Sequence, residues 1–354
     1  MNPTLHALHS LHHARFGEVA GVPLPLGYGD FAGEIDAIRA GLGVLDLAAC
    51  GVIVLRGPDA AEFLGGLTTN DVKRLAEGHV QPDLLCANKG KILFALDVVR
   101  LKPDQYLLLT GPGELEGVAA HLEAYHIREA LEIGRVPLAR LELLGPQAEA
   151  GLAALGHSSA APIGSYRDAP LLALPYPLGA LPRVLVLLPA AHAGPWLEAL
   201  LAALPAARLV GFDAWEEMRI RAGVPRFGVD FDRELLPAEA ALYDRLSFNK
   251  GCYVGQEVHA RLHHRGHVNR KLCALAVPEA LAAALRPGAA LYEGAESVGH
   301  LTSLARLAVD GERRGIALVR YATLSAGTAL AAEPNGPALL RPMALATDLG
   351  ARRA

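Results

Sequence analysis

The sequence predicts an α+β chain: two related modules of strands and helices, followed by a small C-terminal β-barrel. Three observations carry this. The pattern strand, Gly-Pro, helix occurs twice, in "VIVLRGPDAAEFLGGL" and in "LARLELLGPQAEAGLAALG". Strand-like and helix-like segments alternate up to about residue 270. Beyond that, short apolar runs ("LCALAV", "ALYEG", "VGHLTSLA", "RGIALVRY") are separated by Pro-Gly, Glu-Gly, Asp-Gly and Ala-Gly, the texture of short strands joined by tight turns. The expected organisation is 1–270 for the modules, 271–346 for the barrel and 347–354 as a tail.

The elements follow in order. "DFAGEIDAIRAGLG" places acidic residues at the start of an early helix, and "GVIVLRG" is a β-branched run bounded by glycines. "GPDAAEFLGGL" opens with Pro58 and Asp59 and spaces Phe63, Leu64 and Leu67 as a helix would. The apolar runs 92–99 and 106–109 flank the turn "KPDQ". "GELEGVAAHLEAYHI" is an amphipathic helix, and "PRVLVLLPAAHAGPWLEALLAAL" supplies a further strand and helix.

With 354 residues, 52% hydrophobic and 20% charged, the chain has material for two or three cores. A net charge of −4 carries no basic footprint, so direct nucleic-acid binding is not expected. The 4 cysteines, at 50, 86, 252 and 273, have no metal-ligand spacing and fit a reducing, cytoplasmic setting. The N-terminus lacks the basic end and apolar run of a signal peptide. The most apolar stretch, 170–191, is broken by prolines and Arg183, which argues against a membrane span.

"GYGDFAG" fits G-x-G-x-x-A, but "GVPLPLG" before it is a poor central strand, so it is read as a loop rather than a nucleotide site. His6, His9, His12 and His13, and then His259, His263, His264 and His267, are read as solvated side chains, with no metal site.

The stretch "NKGCYVGQE" (249–257) is different. Gly251 removes bulk beside Cys252, and Gly255 is suited to begin a helix at "QEVHARLHH". A cysteine just before a helix start, with Lys250 nearby, is placed where thiolate would be favoured. Upstream, Arg219, Arg221 and Arg226 crowd one segment, with Asp230, Asp232 and Glu239 following. This is either a charge-compensated surface or the wall of a pocket for an anionic ligand with a heterocyclic head.

"KGCYVGQE" followed by Arg261 resembles the signature of the YgfZ family of folate-binding proteins, which is related to the T-protein (aminomethyltransferase) of the glycine cleavage system. "GVLDLAACGVIVLRGPDAAEFLGGLTTNDV" and "MRIRAGVPRFGVDFDRELLPAEAAL" resemble that family's N-terminal and central blocks. The resemblance implies two intertwined ferredoxin-like α+β modules around a central folate pocket, plus the barrel. It implies tetrahydrofolate as cofactor and a role in iron–sulfur cluster assembly or repair, acting through iron–sulfur enzymes on tRNA modification. The partners it implies are iron–sulfur proteins or their assembly factors. Reactive roles carry over to Cys252, Lys250, Gln256, Glu257 and Arg261, and folate contacts to Asn70, Arg219, Arg221, Arg226, Glu239 and Tyr253. Phe94 and Ala95 stand where the T-protein has an aspartate pair, and Arg221 where it has a glutamate. Those departures predict that aminomethyl transfer is absent. The alternatives are a tetrahydrofolate-dependent aminomethyl or other one-carbon transferase, and a scaffold that binds a partner through the "KGCYVGQE" loop.

Overall fold

The structure is a computed structural model and describes residues 3–348; most of the expected tail lies outside them. The chain opens with α1 (Pro3–Leu11), the hairpin β1 (Arg15–Val19) and β2 (Val22–Gly27), and α2 (Phe31–Ala40). Then come β3 (Gly43–Asp46), β4 (Val52–Arg56), α3 (Ala60–Leu67), β5 (His79–Cys86), β6 (Ile92–Lys102) and β7 (Gln105–Thr110). Next are α4 (Leu115–Tyr125), β8 (Glu132–Arg135), β9 (Leu138–Leu144), α5 (Ala148–Ala154), β10 (Ile163–Tyr166) and β11 (Ala169–Pro175). They lead to β12 (Arg183–Pro189), α6 (Ala190–Ala203), β13 (Arg208–Leu209), α7 (Phe212–Arg221) and α8 (Gln256–Arg265). The chain ends in β14 (Arg270–Pro278), α9 (Glu279–Ala282), β15 (Ala290–Glu293), β16 (Glu296–Leu304), β17 (Glu312–Arg320), α10 (Tyr321–Ser325) and β18 (Arg341–Met343).

These elements form two compact units. Unit 1 takes the chain up to Gly66, Asp71–Asp83 and Ala95–Trp215; unit 2 takes Leu67–Asn70, Leu84–Phe94 and the chain from Glu216 onward. β5, β6 and α7 each pass from one unit into the other.

Unit 1 contains a sheet ordered β10-β11-β12-β9-β3-β13 and a second ordered β5-β6-β7-β4-β8. The period of two along a strand decides what each face buries. In β12, Leu185 and Leu187 pack with Val52, Val54, Leu107 and Leu109 of the other sheet. Val184, Val186 and Leu188 turn the opposite way, toward Trp196, Leu197 and Leu200 of α6 and Leu5 and Leu8 of α1. A strand buried on both faces has no polar alternation, which is why "RVLVLLP" is a continuous apolar run. Both Gly-Pro junctions connect a strand to a helix as expected. Gly57 and Gly145 adopt φ of 139° and 112° there, and a Cβ on either would meet backbone within 2.6 Å. Only glycine fits. "GVPLPLG" forms β2 of a two-stranded hairpin, and Asp30 caps α2 by accepting from the Gly33 amide.

The last strands of unit 2 pair antiparallel in the order β15-β16-β17-β14-β18. The expected barrel is not confirmed: the five strands form one sheet, and its outer strands β15 and β18 are linked around the other side only by isolated bridges, Tyr292 with Ala331 and Leu330 with Leu340. Short strands with tight turns are compatible with either arrangement, and edge pairing is a long-range choice that local texture does not encode.

Candidate functional site

The "NKGCYVGQE" segment is held onto two other pieces of unit 2. Lys250 Nζ donates to the carbonyls of Thr68 (2.6 Å) and Asn70 (2.7 Å) and lies 5.0 Å from the centroid of the Tyr253 ring. Asn70 in turn donates its side-chain amide to Asp244 O at 3.2 Å, and the Thr69 hydroxyl donates to Arg245 O at 2.6 Å. Gly255 sits at φ 88°, immediately before α8, and a Cβ there would come within 2.7 Å of Ala87 O. Gln256 turns back to accept the Tyr253 amide at 3.1 Å, which fixes the loop against the start of α8. Cys252 is exposed at the tip of this loop, as are Glu257 and Arg261 on and beside the first turns of α8.

His259 completes the anchor. The Tyr253 hydroxyl and His259 Nδ1 are 3.1 Å apart, and His259 Nε2 lies 2.8 Å from Gly90 O. The reading of this histidine as solvated is therefore corrected: it is 4% exposed. Burial lowers its pKa, only partly offset by the bond to Gly90. A base held neutral by the fold contributes stability above its unfolded pKa of about 6.5 and loses that contribution as pH falls through the lower folded value. Amide exchange at 253–259, corrected for intrinsic rate, is expected to quicken between about pH 7 and about pH 5.5. An unchanged protection profile over that range would exclude the anchoring role. His9 is likewise buried rather than solvated, with Nε2 2.8 Å from Asp46 Oδ2 and Nδ1 2.8 Å from the Tyr28 hydroxyl.

The arginine-rich segment is placed differently from the motif loop. Arg219 is 1% exposed and is paired with Asp230, which also accepts from the hydroxyls of Thr302 and Ser303, each at 2.6 Å. Arg219 also meets Glu216 at 2.8 Å, and Arg226 meets the same carboxylate at 2.7 Å. Burial alone would push the Arg219 pKa down, but Asp230 and Glu216 outweigh it and raise it. Arg221 is held by Glu217 at 2.7 Å and by Leu307 O at 2.6 Å. Glu239 accepts from the Leu236 amide at 2.9 Å and pairs with Arg270 at 3.3 Å. Each guanidinium of the block already faces a carboxylate of its own unit. The arrangement ties α7 to the C-terminal sheet.

Phe94 packs beneath the Arg233 guanidinium, 4.7 Å from its ring centroid. Asp97 accepts a 2.7 Å hydrogen bond from the Tyr176 hydroxyl. This pair leads into a polar network of unit 1 that sequence reasoning missed. The Arg183 guanidinium lies 4.4 Å from the Tyr176 ring centroid and donates to Glu142 at 3.2 Å. Arg140 donates to Glu142 at 2.7 Å and to Thr110 O at 3.2 Å. Burial drives the Glu142 carboxyl up, yet the two guanidiniums hold it below the usual range. Arg140 Nε and Thr110 Oγ1 are buried without a hydrogen-bond partner. The available signal was Arg140 and Glu142 alternating inside the apolar strand "LARLELL".

Residues 5–175 match the GCVT N-terminal domain. An aminomethyltransferase of Listeria monocytogenes is 25% identical over 334 residues, covering 91% of each chain. One of Mycobacterium bovis is 28% identical over 305 residues, covering 82% of this chain and 80% of its own. The glycine cleavage system aminomethyltransferase T of Bartonella henselae superposes with a TM-score of 0.84, covering 97% of both chains at 24% identity, and shares the fold. These relatives overturn the expected role in iron–sulfur cluster assembly and tRNA modification. They favour the transferase alternative over most of the chain's length, where the short "KGCYVGQE" signature had pointed to the YgfZ branch. The GCVT match over residues 5–175 and the similarity to aminomethyltransferases over 82–91% of the chain support a relation to the T-protein superfamily.

Proposed function

We propose that this protein is a tetrahydrofolate-dependent transferase of the aminomethyltransferase class. The observation that carries the reading is the 25–28% identity to aminomethyltransferases over 82–95% of the chain. The polar network of unit 1 fits a folate. Arg140 Nε and Thr110 Oγ1 are an orphaned donor and an orphaned hydroxyl in a buried setting, where leaving such groups unmet costs about 1–3 kcal/mol each. A pterin edge carries both donors and acceptors to meet them. Bound tetrahydrofolate supplies the nitrogen that takes up the one-carbon unit.

Asp97 is the proton-handling residue of this reading. Side chains alternate along β6, and Ala95 and Asp97 lie on the same, partly exposed face while Phe94, Leu96 and Val98 are buried. Asp97 therefore stands one repeat along from Ala95, and the Tyr176 hydroxyl orients its carboxylate. A carboxylate so oriented is a group that can exchange a proton with a bound ligand.

Tetrahydrofolate is expected to raise the melting temperature progressively with concentration, as mass action requires. Asp97→Asn should keep that shift and lower aminomethyl transfer, with the glycine-cleavage partner proteins supplied, by about 10²-fold or more. A flat melting response would reject the folate reading, and an unaltered rate in Asp97→Asn would reject the residue assignment. Phe94 and Ala95, apolar where the T-protein has carboxylates, favour a second reading: transfer of a different one-carbon group. Formation of methylene-tetrahydrofolate from the aminomethyl donor distinguishes the two. Among the described residues no helix is long and apolar enough to cross a membrane.

A further inference from the structure

Between α10 and β18 the chain makes an exposed turn, Glu333-Pro334-Asn335-Gly336. Pro334 stands second, Asn335 third with φ 55°, and the Gly336 amide donates back to Glu333 O at 3.0 Å. This is the arrangement of a type II turn, whose left-handed third position asparagine and glycine tolerate.

Of the 6 asparagines in the chain, Asn335 alone is followed by glycine. Asn88, Asn249 and Asn269 are exposed too, but Lys89, Lys250 and Arg270 follow them. The difference is chemical. An asparagine side chain carries a carbonyl carbon within reach of the next residue's amide nitrogen. A Cβ on that next residue crowds the approach, and glycine has none. The turn also holds two parts of unit 2 together. The Asn335 amide donates to Gly294 O at 2.7 Å, and behind it Tyr292 and Ala331 exchange backbone hydrogen bonds of 3.0 and 2.9 Å. The neighbourhood is acidic in sequence: Glu293 and Glu296 surround Gly294, and Glu333 belongs to the turn itself.

We propose that Asn335 is a site of spontaneous deamidation, converted by water to aspartate and isoaspartate, and that the conversion loosens the join between β15 and residues 330–336. The Gly336 nitrogen, giving up its proton, attacks Cγ of Asn335. The bond from Cγ to the side-chain nitrogen breaks, and that nitrogen leaves with the proton as ammonia. The product is a five-membered succinimide. Water opens it at Cγ to give aspartate, or at the backbone carbonyl to give isoaspartate, whose main chain is one carbon longer. The hydrogen bond from Gly336 to Glu333 O holds the nitrogen back, so the attack waits for the turn to open. An exposed bond of this kind slows it by roughly two- to tenfold. Either product adds a carboxylate to an acidic neighbourhood, and the longer main chain of isoaspartate draws the 335 amide away from Gly294 O. The inference rests on neither the folate reading nor the transferase class.

Ageing the full chain at mildly alkaline pH near body temperature, beside a free peptide of sequence EPNGP, and mapping its peptides by mass tests this. The peptide carrying Asn335 should gain just under one mass unit and split into two chromatographic forms, roughly two- to tenfold more slowly than EPNGP does. Asn88, Asn249 and Asn269 should react more slowly than Asn335 by roughly tenfold or more, and Gly336→Ala should slow Asn335 by a similar factor. Pro334→Ala, which frees the turn, should speed it. Amide exchange at Tyr292 and Ala331 should quicken in the aged protein and stay as it was in aged Gly336→Ala. An intact Asn335 once EPNGP has converted, equal conversion at Asn249, or an unaltered rate in Gly336→Ala would each overturn the modification site. Unchanged exchange at Tyr292 and Ala331 in the fully converted protein would overturn its structural effect.

Discussion

Asp230→Ala is expected to destabilise the protein by about 3–5 kcal/mol, because it strands a buried guanidinium. Asp230 and Arg219 have side-chain exposures of 0% and 1%, so water cannot take over the lost charge. The same substitution removes the acceptor for Thr302 and Ser303, which join the segment to β16. Glu234→Ala is the control. That residue pairs with Lys91 at exposures of 74% and 44%, and its loss should change stability by no more than about 1 kcal/mol. Urea denaturation of both variants checks the contrast. Equal midpoints would mean that the Arg219–Asp230 pair is no more than a surface ion pair. Replacing both partners, as Arg219→Met with Asp230→Leu, should recover part of the loss: no buried guanidinium is left stranded, but Thr302 and Ser303 still lose their acceptor.

Brief alkylation at neutral pH is expected to label Cys252 far ahead of the other thiols. Cys252 is exposed, whereas Cys50, Cys86 and Cys273 have exposures of 2%, 1% and 5%. Burial also pushes the Cys50 thiol up to about 11 and the Cys273 thiol up to about 12. Their thiolate fractions at pH 7 are then on the order of 10⁻⁴ and 10⁻⁵. Access explains the selectivity without help from Lys250, whose ammonium is held by the Thr68 and Asn70 carbonyls. Lys250→Ala is therefore expected to loosen the loop, with Cys252 remaining the first site labelled. Peptide mapping after iodoacetamide treatment measures this, and labelling of Cys50 at a comparable rate would sink it.

Local physics was legible in the sequence. The two strand–Gly-Pro–helix junctions, the "KPDQ" turn between β6 and β7, and the start of α8 after Gly255 each depend on residues within a few positions of one another. β12 was legible too, because a strand buried on both faces needs an unbroken apolar run. What the sequence could not decide were the partners of polar groups. His9 is paired with Asp46, 37 positions away, and His259 with Gly90, 169 positions away, so neither is solvated. Arg219 and Ser303 are 84 apart, which is why a segment that resembled a ligand wall is an internal tie. Whether the C-terminal strands close on themselves turns on the same kind of distant pairing, such as that of Tyr292 with Ala331. A motif of eight residues also carried less about function than similarity along the whole chain. Whether a charge is neutralised, buried or left for a ligand is set by groups far along the chain, because Coulomb and hydrogen-bond energies depend on separation in space, and only the folded structure specifies that separation.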